Sequence, residues 1–412
     1  MRSKVQEKLF RKDIGYFKAE MYDLVSSLEP TFFLEGTDQW SLGVGQAYRS
    51  KSHSLKDLKN NSIRDFLPLV QSDVDPKTPL YQIVAPFDPD KPVSVVVPEI
   101  TITGTRGSSQ LHVTYNHLGY SSDTNSVALE RVLSTLNTAP TREPHRDKLL
   151  SELEPLDLGA WRSKFEVAIE AIETHAVGKV VLSLTSHARK TEMFSRSECM
   201  RRLKQSMKSS HLFCTASYIG ITPELVLSLQ SGVARSTPLA GTRKTENSEE
   251  LSTSQKDIHE HDVVVEAITT GLRSLAQSVE SSKPLTFEAG PITHIATEIR
   301  ATDFKDNVDL LSILANVAPT PAICGDPQDV ALSIVRELEG DRGLFGGLVG
   351  TMDSALDGEV YLAIRSLRDL GDKVRFQAGV GLVDGSEIDQ EFTEISQKIA
   401  SVYRPLGGYT HS

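Results

Sequence analysis

The stretch GGLVGTMDSALDGEVYLAIRSLRDLGDKVRFQAGVGL, residues 346–382, decides the fold class of this chain. It predicts strands at 346–352, 359–365 and 374–382, because runs rich in β-branched and aromatic residues alternate there with turn residues. Short turns join each strand to the next, and such turns suit antiparallel pairing, whereas parallel strands need a long crossover. We therefore predict two antiparallel pairs, 346–352 with 359–365 and 359–365 with 374–382.

Outside this stretch, helical and strand patterns alternate irregularly. Apolar residues at helical spacing predict helices over 158–174, 256–280, 307–315, 327–339 and 387–403. A strand is predicted from Lys179, and others over 212–219 and 224–229. Irregular alternation with antiparallel pairs favours an α+β fold over a doubly wound parallel one.

Residues 1–150 are less regular, with short strand-like runs separated by turns rich in proline, aspartate and glycine. We place a soft boundary near residue 150. On this interpretation 1–150 is the N-terminal part of the same α+β domain, and 151–412 is the core that carries the site.

Composition excludes several classes of protein. The 412 residues, 39% of them hydrophobic, suffice for a large core in one domain or two. A net charge of -11 argues against nucleic acid as a partner. Three cysteines without a CxxC pair fit a reducing compartment. No run resembles a signal peptide or approaches the ~18 apolar residues of a membrane span, so we expect a cytoplasmic protein and no membrane partner.

The stretch KDIHEHDVV, residues 256–264, combines two histidines with several carboxylates. On a helix His259 and His261 point ~200° apart, so they cannot hold one metal ion together. Asp257 and Glu260 share a face off the apolar stripe. Acidic residues in a first helical turn also favour the helix dipole, which is the simpler explanation for this pair taken alone.

A second carboxylate pair lies near the C-terminus. Glu391, Glu394 and Lys398 fall on one helical face, where they form either a solvated surface with an internal ion pair or half of a site. If the two carboxylate pairs converge, the result is an all-oxygen site, and such a site suits Mg²⁺.

Weaker signals lie in strands and turns. Small residues at 237–243 allow backbone N–H groups to hold a carboxylate, and glycines at 378–383 mark either a bulge or a ligand contact. Lys179, Glu224 and Arg365 stand at strand ends. Lys179 is either a surface residue or, if partly buried, a general base with a lowered pKa.

In their order along the chain, these segments resemble the chorismate-utilising enzymes. That family contains isochorismate synthases, salicylate synthases, and the large chains of anthranilate and aminodeoxychorismate synthases. The matching stretches are GKVVLS (178–183), TPELVL (222–227), TPLAGTR (237–243), KDIHEHDVV (256–264), THIAT (293–297), PTPAICGDP (319–327), DRGLFGGLVG (341–350), AIRS (363–366), AGVGLV (378–383) and EFTEISQK (391–398). TFFLEG (31–36) and PFDPDKPVSVVVPE (86–99) resemble the siderophore-type isochorismate synthases, so the resemblance covers nearly the whole chain.

The resemblance implies a single large α+β domain in which two mainly antiparallel sheets pack face to face with helices outside. It also implies Mg²⁺ as the cofactor. By position, Glu260 and Glu394 would be the principal metal ligands, with Asp257 and Glu391 as outer or water-mediated partners.

Chorismate, the substrate that the resemblance implies, carries two carboxylates. One would bridge to Mg²⁺ and reach the backbone at Gly241 and Thr242, with His294 beside the ring. The enolpyruvyl carboxylate would contact a second set of groups: Arg365, Lys398 and the backbone of Gly379 and Gly381.

Lys179 and Glu224 would carry the chemistry. Isochorismate forms when water adds at C2 of the ring and the C4 hydroxyl leaves from the opposite face, which needs one base and one acid. Lys179 is the candidate base and Glu224 the candidate acid. Burial lowers the pKa of a lysine and raises that of a glutamate, so it favours both roles.

Three features select an activity within the family. Lys179 stands where the ammonia-using synthases usually carry a non-basic residue, and Ala240 where aminodeoxychorismate synthases place a catalytic lysine. Salicylate synthases typically carry Tyr and Leu where this chain has Phe345 and Ile364. These residues indicate an isochorismate synthase, an isomerase of the hydroxymutase type, that feeds siderophore, 2,3-dihydroxybenzoate or salicylate biosynthesis.

Three alternatives stay open on the sequence. The first is a salicylate synthase, which also eliminates pyruvate, and the second is an anthranilate-type subunit that depends on an amidotransferase partner. The third, a non-catalytic binder of small acids, is disfavoured because base, acid and metal-ligand candidates are all present. We expect a monomer whose product passes to a downstream isochorismate-consuming enzyme.

Overall fold

The computed structural model describes residues 8–50, 53–58, 67, 69–119, 126–138 and 147–407. Within these ranges the chain forms nine α-helices: α1 Met21–Leu28, α2 Leu55–Leu58, α3 Val127–Thr138, α4 Leu158–Glu173, α5 Arg196–Ser206, α6 Gln255–Arg273, α7 Leu310–Val317, α8 Gln328–Glu339 and α9 Ile388–Gly407. None of these helices is long and apolar enough to cross a membrane.

The same described ranges form twenty-five strands: β1 Lys8–Lys18, β2 Phe32–Glu35, β3 Gln39–Val44, β4 Tyr48–Arg49, β5 His53–Ser54, β6 Val70–Ser72, β7 Tyr81–Ala85, β8 Pro92–Val97, β9 Ile100–Thr105, β10 Gln110–Gly119, β11 Lys179–Arg189, β12 His211–Thr215, β13 Tyr218–Thr222, β14 Leu225–Gln230, β15 Val233–Ser236, β16 Leu239–Lys244, β17 Ala276–Ser281, β18 Leu285–Ala289, β19 Ile292–Ala296, β20 Ile299–Phe304, β21 Gly325–Asp326, β22 Leu348–Met352, β23 Gly358–Leu362, β24 Ser366–Asp369 and β25 Lys373–Leu382.

The strands assemble into two large sheets and one small one. In the described part of the chain, a twelve-stranded sheet has the order β21-β11-β25-β24-β13-β12-β2-β3-β9-β10-β1-β6 and a ten-stranded sheet the order β17-β20-β15-β14-β23-β22-β7-β8-β4. β5 also pairs with β8, and β16, β19 and β18 form the small sheet. Apart from β1 with β6, the described strand pairs are antiparallel.

The two large sheets pack face to face. Phe32 and Phe213 from the twelve-stranded sheet share one buried cluster with Val349 and Tyr361 from the ten-stranded sheet. α4, α5, α8 and α9 pack on the twelve-stranded sheet, while α6 and α7 pack on the ten-stranded one. The predicted α+β architecture of two packed sheets with flanking helices is therefore confirmed.

Strands from both sides of residue 150 take part in both large sheets. β1–β3 join β11–β13 in the twelve-stranded sheet, and β7 joins β22 in the ten-stranded one. The two segments thus share one architecture, and the position of the boundary stays a prediction.

One of the two strand pairs predicted in 346–382 is wrong. β22 does pair with β23, but β23 ends at Leu362, and β25 pairs with β24 and β11 in the other sheet. The cause is Arg365, whose φ of 50° breaks the extended backbone and takes the chain from one sheet to the other. The local sequence does not mark this crossing, because apolar residues stand on both sides of it, Ile364 before and Leu367 after.

Two other element predictions need correction. The helix predicted over 256–280 ends at Arg273, and Ala276–Ser281 form β17, which pairs with β20. Leu275 and Val279 continue the helical spacing, so the apolar pattern could not mark this end. The strand predicted over 212–219 is two strands, β12 and β13, which pair with each other as a hairpin.

Both helices on the ten-stranded sheet, α6 and α7, start at side-chain caps. Ser254 caps α6 by accepting the backbone N–H of Asp257 at 3.3 Å. Asp309 and Ser312 form a reciprocal capping box at the start of α7. Each cap satisfies backbone donors that have no partner inside the helix and so fixes where that helix begins.

Candidate active site

A cavity lies where the chain crosses from β23 to β24. It encloses about 640 Å³ including its open mouth. Twelve of the site residues predicted from the sequence line it: Glu224, Ala240, Gly241, Thr242, Glu260, His294, Phe345, Ile364, Arg365, Gly379, Gly381 and Lys398. The wall is completed by Pro223, Leu239, Ala322, Ile323, Leu362, Gln377 and Ala378.

Lys179, the candidate base, is fully buried at the start of β11. Its Nζ donates to Glu260 Oε1 at 3.0 Å. A Cβ built on Gly381 would lie 2.5 Å from Lys179 Cε, so the missing side chain of this glycine makes room for the lysine beside the cavity. The partner of Lys179, Glu260, is one of the predicted metal ligands.

Glu224, the candidate acid, precedes β14 and is 3% exposed. The pairing of β14 with β23 contains an irregularity between Leu225 and Leu227, directly after it. Bulges of this kind re-aim side chains next to active sites. Burial raises the pKa of Glu224 to about 8, although the nearby Lys179 ammonium acts in the opposite direction. The carboxyl group therefore holds its proton at neutral pH, as a general acid must.

Arg365 and His294 form the buried cationic end of the cavity. Arg365 Nη2 lies 3.2 Å from His294 Nε2, and its Nη1 donates to Ser401 Oγ at 3.0 Å. A guanidinium is only a donor, so Nε2 of His294 must accept and the proton lies on Nδ1. Nδ1 lies 3.3 Å from the carbonyl oxygen of Gly241. Burial, followed by the charge of Arg365, lowers the pKa of His294 well below its usual value, so the ring is neutral.

Gly241 lies within β16, at a bulge in the pairing of β16 with β19, and faces Asp257 in the first turn of α6. Gly241 has a φ of 70°, and a Cβ there would lie 3.1 Å from Asp257 Cβ, so a glycine is needed for both conformation and space. Thr242 Oγ1 lies 3.2 Å from His294 Nδ1. The backbone at 241–242 thus reaches the same cavity as the Arg365 guanidinium.

Each of the four carboxylates predicted as metal ligands forms an ion pair with a lysine or an arginine. Lys179 pairs with Glu260 at 3.0 Å, Arg243 with Asp257 at 2.6 Å, and Lys398 with Glu394 at 2.7 Å. Lys256 pairs with Glu391. Asp257 is also buried, although its spacing placed it off the apolar stripe of α6.

Three of these carboxylates act on Lys256, which lines a neighbouring pocket with Glu391 and Glu394; that pocket shares Thr242 with the cavity. Glu391, Glu260 and Glu394 together raise the pKa of Lys256, against the effect of its burial. Burial raises the pKa of Glu391 to about 7, and the charges of Glu394 and Glu260 add to this. Among the described residues no three acidic, histidine or cysteine side chains meet as a ready-made metal cage. The donor set nevertheless fits a hard divalent cation, because it consists of mutually repelling carboxylates.

Lys398 links this acidic cluster to the cavity wall. Its Nζ contacts Glu394 and also donates to the carbonyl oxygen of Gly379 at 3.0 Å. Both the side chain of Lys398 and the backbone of β25 face the cavity, as the predicted contact with a substrate carboxylate requires.

The apolar residues that were used to distinguish activities within the family lie in the wall of the cavity. Phe345 is 2% exposed and packs near the guanidinium of Arg342, 6.0 Å from its ring centre. Ala240 and Ile364 line the same cavity. The wall at these positions therefore offers no hydroxyl and no amine to a bound molecule.

The two histidines of the stretch 256–264 are not among the residues that line the cavity. His261 is buried, and its Nε2 bonds to Thr297 Oγ1 at 2.7 Å. Burial lowers the pKa of His261 to about 4. His259 is exposed on the opposite side of α6.

Sequence reasoning missed some residues of the site. Gln377 lines the cavity, and its position two residues before Gly379 on the same strand face could have shown this. Lys256 and Arg243 were not recognised as partners of the carboxylates, because nothing in their local sequence indicates which acid lies opposite them.

A buried acid and a buried lysine beside a cavity with cationic walls define an enzyme that acts on a small anionic compound. A family model described as chorismate binding enzyme matches residues 29–407. The chain belongs to the chorismate-binding enzyme family.

Individual relatives agree with this membership. Isochorismate synthase DhbC of Bacillus subtilis is 31% identical over 275 residues, which cover 62% of this chain and 68% of the relative. The vibriobactin-specific isochorismate synthase of Vibrio cholerae is 24% identical over 417 residues, 96% of this chain and 97% of the relative. MenF, the menaquinone-specific isochorismate synthase of Escherichia coli, superposes with a TM-score of 0.78 at 19% identity, covering 98% of this chain and 96% of that structure.

Proposed function

We propose that this chain is an isochorismate synthase that converts chorismate to isochorismate. A C2–O bond forms from water, the ring double bonds shift, and the C4–O bond breaks. Lys179 takes the proton of the attacking water, and Glu224 gives a proton to the departing hydroxyl, so that water is both consumed and released. The observation that carries the proposal is that a buried Glu224 lines the cavity while a buried Lys179 lies against the cavity wall at Gly381.

The cavity carries groups that match the negative charges of the substrate. The buried guanidinium of Arg365 and the ammonium of Lys398 offer positive charge to the enolpyruvyl carboxylate, next to the backbone of Gly379. The ring carboxylate would meet the backbone at Gly241 and Thr242. Desolvated charges at such a site hold an anion far more strongly than the same charges in water.

The proposal includes Mg²⁺, with Glu260 and Glu394 as principal ligands and Asp257 and Glu391 as outer partners. When bound, the ion would supply positive charge to the ring carboxylate and so help to absorb electron density that shifts through the diene. Glu260 and Glu394 would then leave their pairs with Lys179 and Lys398. The short contact of Asp257 with Arg243 supports the assignment of Asp257 as an outer partner of the ion and not a principal ligand.

Product analysis separates this proposal from its alternatives. We expect purified protein with chorismate and Mg²⁺ to accumulate isochorismate, identified by chromatography and mass spectrometry. Salicylate together with pyruvate, without an added lyase, would instead establish a salicylate synthase. An aminated product in the presence of ammonia would establish an anthranilate-type activity. Phe345, Ile364 and Ala240 favour the first outcome.

Glu224→Gln tests the acid and its pH dependence. The pKa of about 8 means that Glu224 is protonated at pH 7 and loses its proton as the pH rises. Turnover by the wild-type protein should therefore fall above pH about 8. Glu224→Gln should lower kcat by about 10²- to 10⁴-fold, the usual range for a general acid. A flat wild-type profile from pH 7 to pH 10, or a Gln variant with normal kcat, would remove Glu224 from this role.

The same variant also has an expected effect on stability. A carboxyl whose pKa is raised by burial destabilises the folded state increasingly as the pH rises from its unfolded value toward about 8. The neutral amide of Glu224→Gln avoids this, so its free energy of unfolding at pH 9 should exceed that of wild type. Urea unfolding at pH 5 and pH 9 measures the difference.

Several expectations from the sequence complete the proposal. The similarity to the vibriobactin-specific isochorismate synthase supports a role in siderophore biosynthesis, with salicylate biosynthesis as the alternative destination of the product. A cytoplasmic location, a monomeric state and a downstream isochorismate-consuming enzyme stay predictions.

A further inference from the structure

Gln377 holds a distinctive position on the wall of the cavity. Along β25, the side chains of alternate residues point to one face, and Gln377, Gly379 and Gly381 share the face that lines the cavity. Gly379 and Gly381 have no side chain. Gln377 therefore supplies the side-chain polar group of this part of the wall, two residues from the backbone that Lys398 contacts.

The amide of Gln377 is held in one orientation by Ser183 on the neighbouring strand β11. Gln377 Nε2 lies 2.9 Å from Ser183 Oγ. The hydroxyl of Ser183 lies 2.5 Å from Glu339 Oε2 and has a single proton, which it donates to that carboxylate. Ser183 Oγ must then accept from Gln377, so the amide nitrogen, and not its oxygen, faces Ser183.

A buried ion pair keeps this arrangement rigid. The Glu339 side chain is 3% exposed and accepts from Arg342 Nε at 2.8 Å. Burial alone would raise the pKa of Glu339, but the charge of Arg342 outweighs it and the pKa is lowered. Glu339 is therefore an ionised, acceptor-only group. Lys164 adds a bond from its Nζ to the carbonyl oxygen of Ser183 at 2.9 Å.

One amide hydrogen of Gln377 has no acceptor among the described residues. Ser183 uses one N–H of the nitrogen, and the residue that carries the other N–H lines the cavity. Lys398 and Arg365 line this cavity as well, so its charge selects a carboxylate. A preoriented neutral donor next to two cations adds direction to their attraction and needs no further ordering on binding.

We propose that Gln377 is a specificity-determining residue that donates its free N–H to the enolpyruvyl carboxylate of the substrate, held in place by Ser183 and Glu339. This inference rests on the proposed function, because it assigns a contact to that substrate.

Gln377→Leu removes the donor and keeps most of the side-chain volume. We expect the KM for chorismate to rise about 10-fold, the effect of losing a hydrogen bond to a charged group, and kcat to change less than about 3-fold. Ser183→Ala, which frees the amide to rotate, should raise KM in the same direction but by a smaller factor. Gln110→Leu, at an exposed glutamine of β10 in the same sheet, is the matched control and should match wild type.

A second substrate separates this contact from a general structural effect. Chorismate whose enolpyruvyl carboxylate is converted to its methyl ester should bind the wild-type protein more weakly than chorismate does. In Gln377→Leu the ratio of the two affinities should be about 10-fold smaller than in the wild-type protein, because the donor that contributes to this discrimination is gone. An equal loss of affinity for both ligands, or a KM within about 2-fold of wild type, would overturn the proposal.

The binding comparison also separates the two proposals. Calorimetric titration of both ligands into Lys179→Ala, with and without Gln377→Leu, measures affinity where turnover is removed. Absence of isochorismate formation by the wild-type protein would refute the proposed function. Unchanged discrimination between acid and ester in the titrations would refute the role of Gln377.

Discussion

Lys179→Ala is expected to abolish the conversion of chorismate, with kcat lowered by about 10²- to 10⁴-fold, the range in which general base catalysis contributes. Lys179 is fully buried, and its Nζ lies against the wall formed by Gly381 and Glu260. A water molecule that filled the space left by the lysine would be a much weaker base and could not replace it. Initial rates under saturating chorismate and Mg²⁺ measure the loss.

Binding distinguishes this loss from misfolding. Calorimetric titration should give the alanine variant an affinity for chorismate within a few-fold of wild type, since the substrate's carboxylates are assigned to other residues. Lys12→Ala, at an exposed lysine of β1 in the same twelve-stranded sheet, is the control and should retain full activity. Near-normal turnover by Lys179→Ala would refute the base assignment.

Glu260→Gln is expected to raise the Mg²⁺ concentration needed for half-maximal activity by at least about 10-fold. The substitution keeps the shape of the side chain and removes the negative charge that a hard divalent cation requires. It also removes the ion pair with Lys179, so the metal titration, and not kcat alone, is the informative measurement.

The control for this experiment lies on the same helix. Glu266 is exposed on α6, and Glu266→Gln removes one negative charge from that helix without touching the cavity. Its Mg²⁺ titration should coincide with that of wild type. If Glu260→Gln also gave an unchanged titration, Glu260 would not be a principal metal ligand.

The fold could be predicted from sequence as far as local signals reach. Short turns between apolar strands indicate antiparallel pairing, and this predicted the class correctly and the pair β22–β23. The crossing at Arg365 escaped prediction because a positive φ at an arginine has no sequence signature, and only the packed sheets hold it there. Leu362, Ile364 and Arg365 from this crossing line the cavity, so the error in the strand pairing falls beside the site.

The types of residue in the site could be predicted from the sequence, but the ion pairs that they form could not. The motifs supplied twelve residues that line one cavity. They did not show that Glu260 and Glu391 pair with Lys179 and Lys256, because these partners lie 81 and 135 residues apart along the chain. Only the folded arrangement shows which charged groups face each other.

The central claim is that water from solvent attacks C2 while the C4 hydroxyl leaves, with Lys179 and Glu224 as base and acid. The most direct measurement is the incubation of the protein with chorismate and Mg²⁺ in H₂¹⁸O, followed by mass spectrometry and NMR of the product. The account predicts isochorismate carrying one ¹⁸O atom at C2. Isochorismate without the label, or salicylate and pyruvate as the accumulating products, would contradict it.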